Sequence, residues 1–226
     1  MPAKPRAIVF DAYGTLFDVH SVVLSGGHGI DGDLPALSRL WRQKQLEFTW
    51  LRALMESYED FWRITEAALR SAVRQLLLDI ADPQFDKLMQ AYLAPAAFAD
   101  ARSALETFKD IPLAILSNGS PTMLDSAIRN NGWESCFAAV ISVDRVKTYK
   151  PSPGVYALGP KILHVPAEEI LFVSSNSWDA AGAKAFGYQV CWCNRAEEKL
   201  DDWGFAPDFM VSRLDRIPDR IQVAAR

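Results

Sequence analysis

AIVFDAYGTLFDVHS, residues 7 to 21, decides how the rest of the chain is read. Four apolar residues, Ala7 to Phe10, run straight into Asp11, and Gly14, Thr15 and Asp18 follow. A continuous apolar run bounded by turn residues suits a strand covered on both faces, and such strands belong to parallel sheets. A carboxylate directly after that strand needs an explanation. So does Tyr13, two positions later.

The same pattern recurs along the chain. LAILSNGS (113–120), AAVISVD (138–144), ILFVSSN (170–176) and YQVCWCN (188–194) each carry a short apolar run followed by turn residues and then a helical pattern, and a weaker run, DFMVS (208–212), follows. Strands alternating with helices predict βαβ units and a parallel sheet. The segment from 19 to 98 breaks the rhythm. After the glycine-rich GGHGIDGD (26–33), residues 34 to 94 read as helices only. In LSRLWRQKQLEFTWLRALM, Leu37, Leu40, Trp41, Phe48, Leu51 and Met55 recur at helical spacing, while Leu46, Trp50 and Ala53 form a second apolar stripe that also carries Arg42. A helix apolar on two sides is packed on two sides. The expected fold is therefore α/β: a Rossmann-like parallel sheet core, residues 1–18 and 99–226, with a helical cap, 19–98, inserted after the first strand.

Composition narrows the function classes. The chain has 226 residues, is 50% hydrophobic and 23% charged, and carries a formal net charge of -4. That balance fills a core and marks no nucleic-acid surface. No stretch reaches the roughly 18 apolar residues of a membrane span, and MPAKPRAIVF lacks the apolar centre of a signal peptide. The expectation is a cytoplasmic protein that binds neither nucleic acid nor membrane. Cys136, Cys191 and Cys193 are an odd count without disulfide spacing, which predicts reduced thiols, the last two packed inside a strand. His20, His28 and His164 are scattered, and nothing has the spacing of a zinc site.

In open parallel sheets, ligands bind beyond the carboxyl ends of the strands. The polar residues placed there are Asp11, Tyr13 and Thr15 after the first run; Ser117 and Asn118 after the second; Ser174, Ser175, Asn176 and Asp179 after the run at 170; and Lys150 in YKPSP. Each has a bland reading. Asp11 could be a turn residue, Ser117-Asn118-Gly119 an ordinary turn, Lys150 a solvated lysine and Asp179 a helix cap. Their joint placement at one sheet edge carries the functional reading.

DAYGTLFDVHS, LWRQKQLEFTWLRALM, LSNGSP, YKPSPGVY and FVSSNSWDAAGA together resemble the haloacid dehalogenase superfamily and, more narrowly, the L-2-haloacid dehalogenases. The motifs keep their order from about residue 7 to residue 212; GGHGIDGD departs from what the resemblance leads one to expect, but touches none of them. The resemblance implies hydrolysis of 2-haloalkanoic acids with inversion at C2, a site between core and cap, a homodimer, and no metal or other cofactor. The ligands expected are a small 2-haloacid and a halide ion.

The resemblance also explains Tyr13. Related phosphatases carry a second aspartate at this position, which protonates an alkoxide leaving group. A halide ion is a very weak base and needs a cradle for an anion, not a proton. Ser175 stands where the phosphatases place a magnesium-binding aspartate, and a magnesium site wants oxygen ligands with enough negative charge. Lys150 is then the main cation beside Asp11 and favours its carboxylate form. The implied roles follow. Asp11 attacks C2 to form an ester, whose carbonyl is then attacked by water. Asp179, as base, and Asn176 position that water; Thr15 and Ser174 orient Asp11. Ser117 and backbone amides near Tyr13 hold the substrate carboxylate. Arg42 and Asn118 accept the halide, since the charge of an arginine is not lost by deprotonation. Tyr13, Leu46, Phe61 and Trp178 wall the pocket, and Tyr156 supports it through a hydrogen bond.

Two rivals make different predictions. A magnesium-dependent phosphatase of the same superfamily would turn over phosphomonoesters and lose activity with EDTA. A phospho-acceptor module would carry acidic residues before Asp11, where this chain has Ile8, Val9 and Phe10.

Overall fold

In the computed structural model, which describes residues 4–200, 202 and 204–221, all six apolar runs are strands of one parallel sheet. They are β1 (Ala7–Phe10), β2 (Leu113–Ser117), β3 (Ala139–Ser142), β4 (Ile170–Ser174), β5 (Gln189–Cys193) and β6 (Phe209–Val211), in the spatial order β3-β2-β1-β4-β5-β6. Every residue of β1, β2 and β4 is buried. That is why these runs are continuously apolar and do not alternate. Cys191 and Cys193 are buried free thiols inside β5, and Cys136 is a half-buried one. Residues 1–3 and 222–226, the ends of the expected core, lie outside the described residues.

The strand order sets the site. From β1 the chain builds outward through β2 and β3, then returns to β4 on the other flank of β1. The direction of winding reverses between β1 and β4, and a crevice opens there beyond the carboxyl ends. Asp11, the residue after β1, stands at that point, its N–H donating to Val173 O of β4 at 2.9 Å.

Between β1 and β2 come α1 (Ser21–Gly26), α2 (Leu34–Leu54), α3 (Phe61–Gln75), α4 (Asp82–Ala91) and α5 (Ala101–Thr107). Then follow α6 (Pro121–Asn130), α7 (Pro153–Tyr156), α8 (Leu158–Leu163) and α9 (Ser177–Phe186). Local sequence starts the long helices: Asp33 caps α2 through Ala36 N at 2.8 Å, and Asp60 caps α3 through Trp62 N at 2.9 Å. The two chain segments leading into and out of α1–α4 lie side by side, joined by Asp18 N to Ala96 O at 2.8 Å and Phe98 N to Leu16 O at 3.0 Å. Asp18 also receives His20 N at 2.9 Å, so the second aspartate of the opening stretch is a turn residue. The 26–33 loop meets α4, where Gln84 Nε2 donates to Gly29 O at 2.6 Å.

Helix α2 corrects one expectation. Its first apolar stripe starts as read, with Leu37 and Trp41 buried, but Leu51 and Met55 are exposed. The buried row against α3 continues instead through Gln45 and Thr49, at a spacing of four residues. A helical row tolerates buried polar side chains when their hydrogen bonds are satisfied inside, as these are. On the second stripe, Trp50 packs edge-on against Trp178 of α9, with ring centroids 5.4 Å apart.

Candidate active site

Strand ends form the floor of a small chamber and α2 its roof. The lining residues are Asp11, Tyr13, Arg42, Leu46, Phe61, Ser117, Asn118, Lys150, Asn176 and Trp178. All ten are residues singled out from the sequence. Thr15, Ser174 and Asp179 stand one contact behind them, and Tyr156 stands behind Asp179.

Asp11 is the hub. Its Oδ2 accepts from Thr15 Oγ1 at 3.0 Å and from Asn176 Nδ2 at 2.9 Å, while its Oδ1 accepts from Lys150 Nζ at 3.0 Å. Main-chain groups hold the supporting side chains. Ser175 N donates to Thr15 Oγ1 at 2.8 Å, so the Thr15 hydroxyl has only Asp11 to donate to. Asn176 N donates to Ser174 Oγ at 3.1 Å, Lys150 N to Asn118 Oδ1 at 3.1 Å and Gly119 N to Ser117 Oγ at 3.1 Å. Asn176 occupies the N-cap of α9 yet makes no capping bond with its side chain. A good capping residue is spent on Asp11 instead, the local conflict expected at a functional site.

Lys150 joins two carboxylates. Its Nζ lies 3.0 Å from Asp11 Oδ1 and 2.8 Å from Asp179 Oδ2, with the lysine 1% exposed and Asp179 fully buried. Burial alone disfavours the ammonium, but Asp11 and Asp179 together hold the pKa of Lys150 above the ordinary lysine value. Burial pushes Asp179 up to about 6, against the attraction of Lys150 and with the repulsion of Asp11 adding to the rise. Asp179 Oδ1 accepts from Tyr156 OH at 2.8 Å, and Tyr156 O in turn accepts from Tyr188 OH at 2.7 Å. Desolvation, then the Asp179 charge, raises the Tyr156 phenol well above its usual value, so it stays a donor. Asp179 reaches the chamber only through Lys150.

Tyr13 contributes by its ring and its carbonyl. The ring sits among Tyr92, Phe61 and Phe17, at centroid distances of 5.6, 6.0 and 6.2 Å. Gly119 permits this, because a Cβ there would lie 2.8 Å from Tyr13 Cε2. The carbonyl accepts from Arg42 Nη2 at 3.1 Å and Asn176 Nδ2 at 3.4 Å. Gly14, at φ +93°, turns the chain under those donors in a conformation that favours glycine.

The oxygens of Asp11 and of the Tyr13 carbonyl are the kind a hard cation takes. Here they face an ammonium, an amide N–H and a guanidinium. Ser175 offers no charge, and among the described residues no three His, Cys, Asp or Glu side chains cluster. This donor set does not fit magnesium.

Sequence reading missed the residues that hold Arg42. Its Nη1 donates to Gln45 Oε1 at 2.7 Å, Tyr92 OH donates to the same oxygen at 2.9 Å, and Gln45 Nε2 donates to Thr65 Oγ1 at 2.7 Å. The Arg42-Gln45 spacing of three residues was the available signal, since it puts both on one helix face.

The chain's relatives agree with this geometry. Residues 5–187 match the family model of haloacid dehalogenase-like hydrolases. The chain is 44% identical over 222 residues to (S)-2-haloacid dehalogenase 2 of Pseudomonas sp. (strain CBS-3), covering 97% of each chain. It is 46% identical over 222 residues to haloacetate dehalogenase H-2 of Moraxella sp. (strain B), covering 97% of this chain and 99% of that one. The structure of L-2-haloacid dehalogenase from Xanthobacter autotrophicus with chloropropionic acid covalently bound superposes with a TM-score of 0.90 at 38% identity, over 95% of this chain and 97% of that one. Identity at this level over nearly the whole length shows that the chain belongs to the haloacid dehalogenase-like hydrolases, and within them to the (S)-2-haloacid dehalogenases.

Proposed function

We propose that this protein hydrolyses L-2-haloalkanoic acids to D-2-hydroxy acids through an ester on Asp11. The observation that carries the reading is the placement of Asp11 at the strand switch point, 3.0 Å from a buried lysine and under an arginine, with no acid at position 13. The covalently bound chloropropionic acid of the Xanthobacter relative supports it.

The two Asp11 oxygens are not equivalent. Oδ2 accepts two hydrogen bonds and Oδ1 one, so Oδ1 keeps the freer lone pair and attacks C2. The carbon–halogen bond breaks on the opposite side, and the halide leaves with the electron pair toward Arg42 and Asn118. Ser117 and amides near Tyr13 hold the substrate carboxylate. Water then attacks Cγ of Asp11. Asp179, acting across Lys150, takes one proton and returns it to the departing alkoxide; the regenerated carboxyl releases the other to solvent. Attack on Cγ leaves C2 untouched, so the single inversion is kept. Tyr13, Leu46, Phe61 and Trp178 keep bulk water out, which strengthens the charges inside.

The same reading gives the division into a core of 1–18 and 99–226 and a cap of 19–98, a cytoplasmic location, and a homodimer, which the exposed Leu51, Leu54 and Met55 support. It needs no cofactor, nucleic acid or membrane. Among the described residues, no helix is long and apolar enough to cross a membrane. The test is halide release from (S)-2-chloropropionate with and without EDTA. Equal release in both is expected; magnesium-dependent phosphomonoester turnover without halide release would overturn the reading.

A further inference from the structure

Resting on the assignment of Arg42 as halide acceptor, we propose that Gln45 is the positioning residue that aims its guanidinium while leaving its charge unspent. The hydrogen-bond directions are forced. The Thr65 hydroxyl donates to Phe61 O at 2.6 Å, a carbonyl that can only accept. The Thr65 oxygen therefore accepts from Gln45 Nε2 at 2.7 Å. That fixes the amide so that Oε1 faces Arg42 Nη1 at 2.7 Å and Tyr92 OH at 2.9 Å. Trp41 Nε1 bonds Thr65 O at 2.8 Å and closes the network against α3. Gln45, Thr65 and Tyr92 are all buried.

The acceptor is neutral. Among the described residues, Arg42 forms no ion pair with a carboxylate, although a carboxylate at position 45 would reach it in the same geometry. A neutral oxygen orients the fork and does not cancel it, so a departing anion meets an uncompensated positive charge. A glutamate at 45 would pair with Arg42 and stay ionised beside it. A methionine would fill the space and leave the charge, but free the fork to turn.

The test uses the full-length enzyme and bromide as the probe. Inhibition of turnover by bromide is measured for the parent, Gln45→Met, Gln45→Glu and Arg42→Ala, together with kcat for 2-chloro- and 2-bromopropionate. The expected bromide inhibition constants rise from parent to Gln45→Met to Gln45→Glu, the last by about tenfold or more, the value of a charge-assisted bond. The loss should fall on kcat, the sign of an interaction realised in the transition state. It should be larger for the chloro substrate, whose stronger bond leans more on the cradle. Merely structural damage lowers the active fraction and moves neither the inhibition constant nor the chloro-to-bromo ratio. Should Gln45→Glu fail to fold, Gln45→Met decides by the same two readouts. Unchanged bromide inhibition in the folded Gln45 variants, with Arg42→Ala weakened, overturns the role of Gln45 and spares that of Arg42. Unchanged inhibition in Arg42→Ala overturns both.

Discussion

The floor and the roof of the chamber are held in different ways. On the floor, the residues that support Asp11 and Lys150 follow a strand or a turn, where main-chain N–H groups are free, and these groups fix them: Ser175 N on Thr15, Lys150 N on Asn118, Asn176 N on Ser174. On the roof, Arg42 sits in the middle of α2, where the N–H groups are committed to the helix. It is held by the side chain of Gln45, with Tyr92 and Thr65 behind it, and by one carbonyl of the floor, that of Tyr13. The floor is therefore built by the fold itself and the roof by a replaceable set of side chains. Removing the buried cation Lys150 from the floor should cost chemistry and stability together, and trimming Arg42 on the roof chemistry alone.

Asp11→Asn tests the floor most severely. Loss of the nucleophile should lower halide release by on the order of 10⁴-fold or more, with circular dichroism unchanged. Substantial turnover, with reversion to aspartate excluded by mass spectrometry, would count against it. Lys150→Met should lower kcat by about 10³-fold and destabilise the fold by roughly 3–5 kcal/mol, because Asp179 is left buried without its cation. An unpaired buried carboxylate binds its proton more tightly in the folded state, so the stability deficit should widen as pH rises from about 5 to about 8. Equal denaturation midpoints for variant and parent at both pH values would erase the contrast between floor and roof.

Arg42→Ala is the counterpart on the roof. A drop in kcat of about 10²-fold is expected, with a melting temperature within a few degrees of the parent; an unchanged rate would remove Arg42 from halide release. The gentlest effect is that of pH. Asp179, with its pKa pushed up to about 6, works in its ionised form, so kcat should fall as pH falls through about 6, close to tenfold per unit below it. Asp179→Asn should be slow throughout and lack that limb, and the same limb surviving in the variant would assign it to another group.

How far the sequence could be read follows the same division. The floor was legible because a residue after an apolar run has its neighbours set by strand order: once β1, β2 and β4 lie side by side, Asp11, Ser117 and Ser174 converge. The sheet was legible for the same reason, since strands covered on both faces leave continuous apolar runs. The roof was half legible. Arg42 and Leu46 stood out on an apolar stripe, but the buried Gln45 and Thr49 belong to neither stripe, and Leu51 and Met55, placed on the first, are exposed. Periodicity registers hydrophobicity, and a buried glutamine satisfied by a threonine of α3 and a tyrosine at the end of α4 leaves no trace in it. The position of Asp179 behind Lys150 was hidden too, because spacing places it in the first turn of α9 but not beneath a lysine 29 positions earlier.

A single turnover in heavy-oxygen water, with enzyme in excess over (S)-2-chloropropionate, separates attack by Asp11 from attack by water. The product should be unlabelled lactate of inverted configuration, with the heavy oxygen recovered in the Asp11 carboxylate by peptide mass spectrometry. Label in the first-turnover lactate, with the Asp11 peptide unchanged in mass, would mean that water displaces the halide directly and that no ester forms.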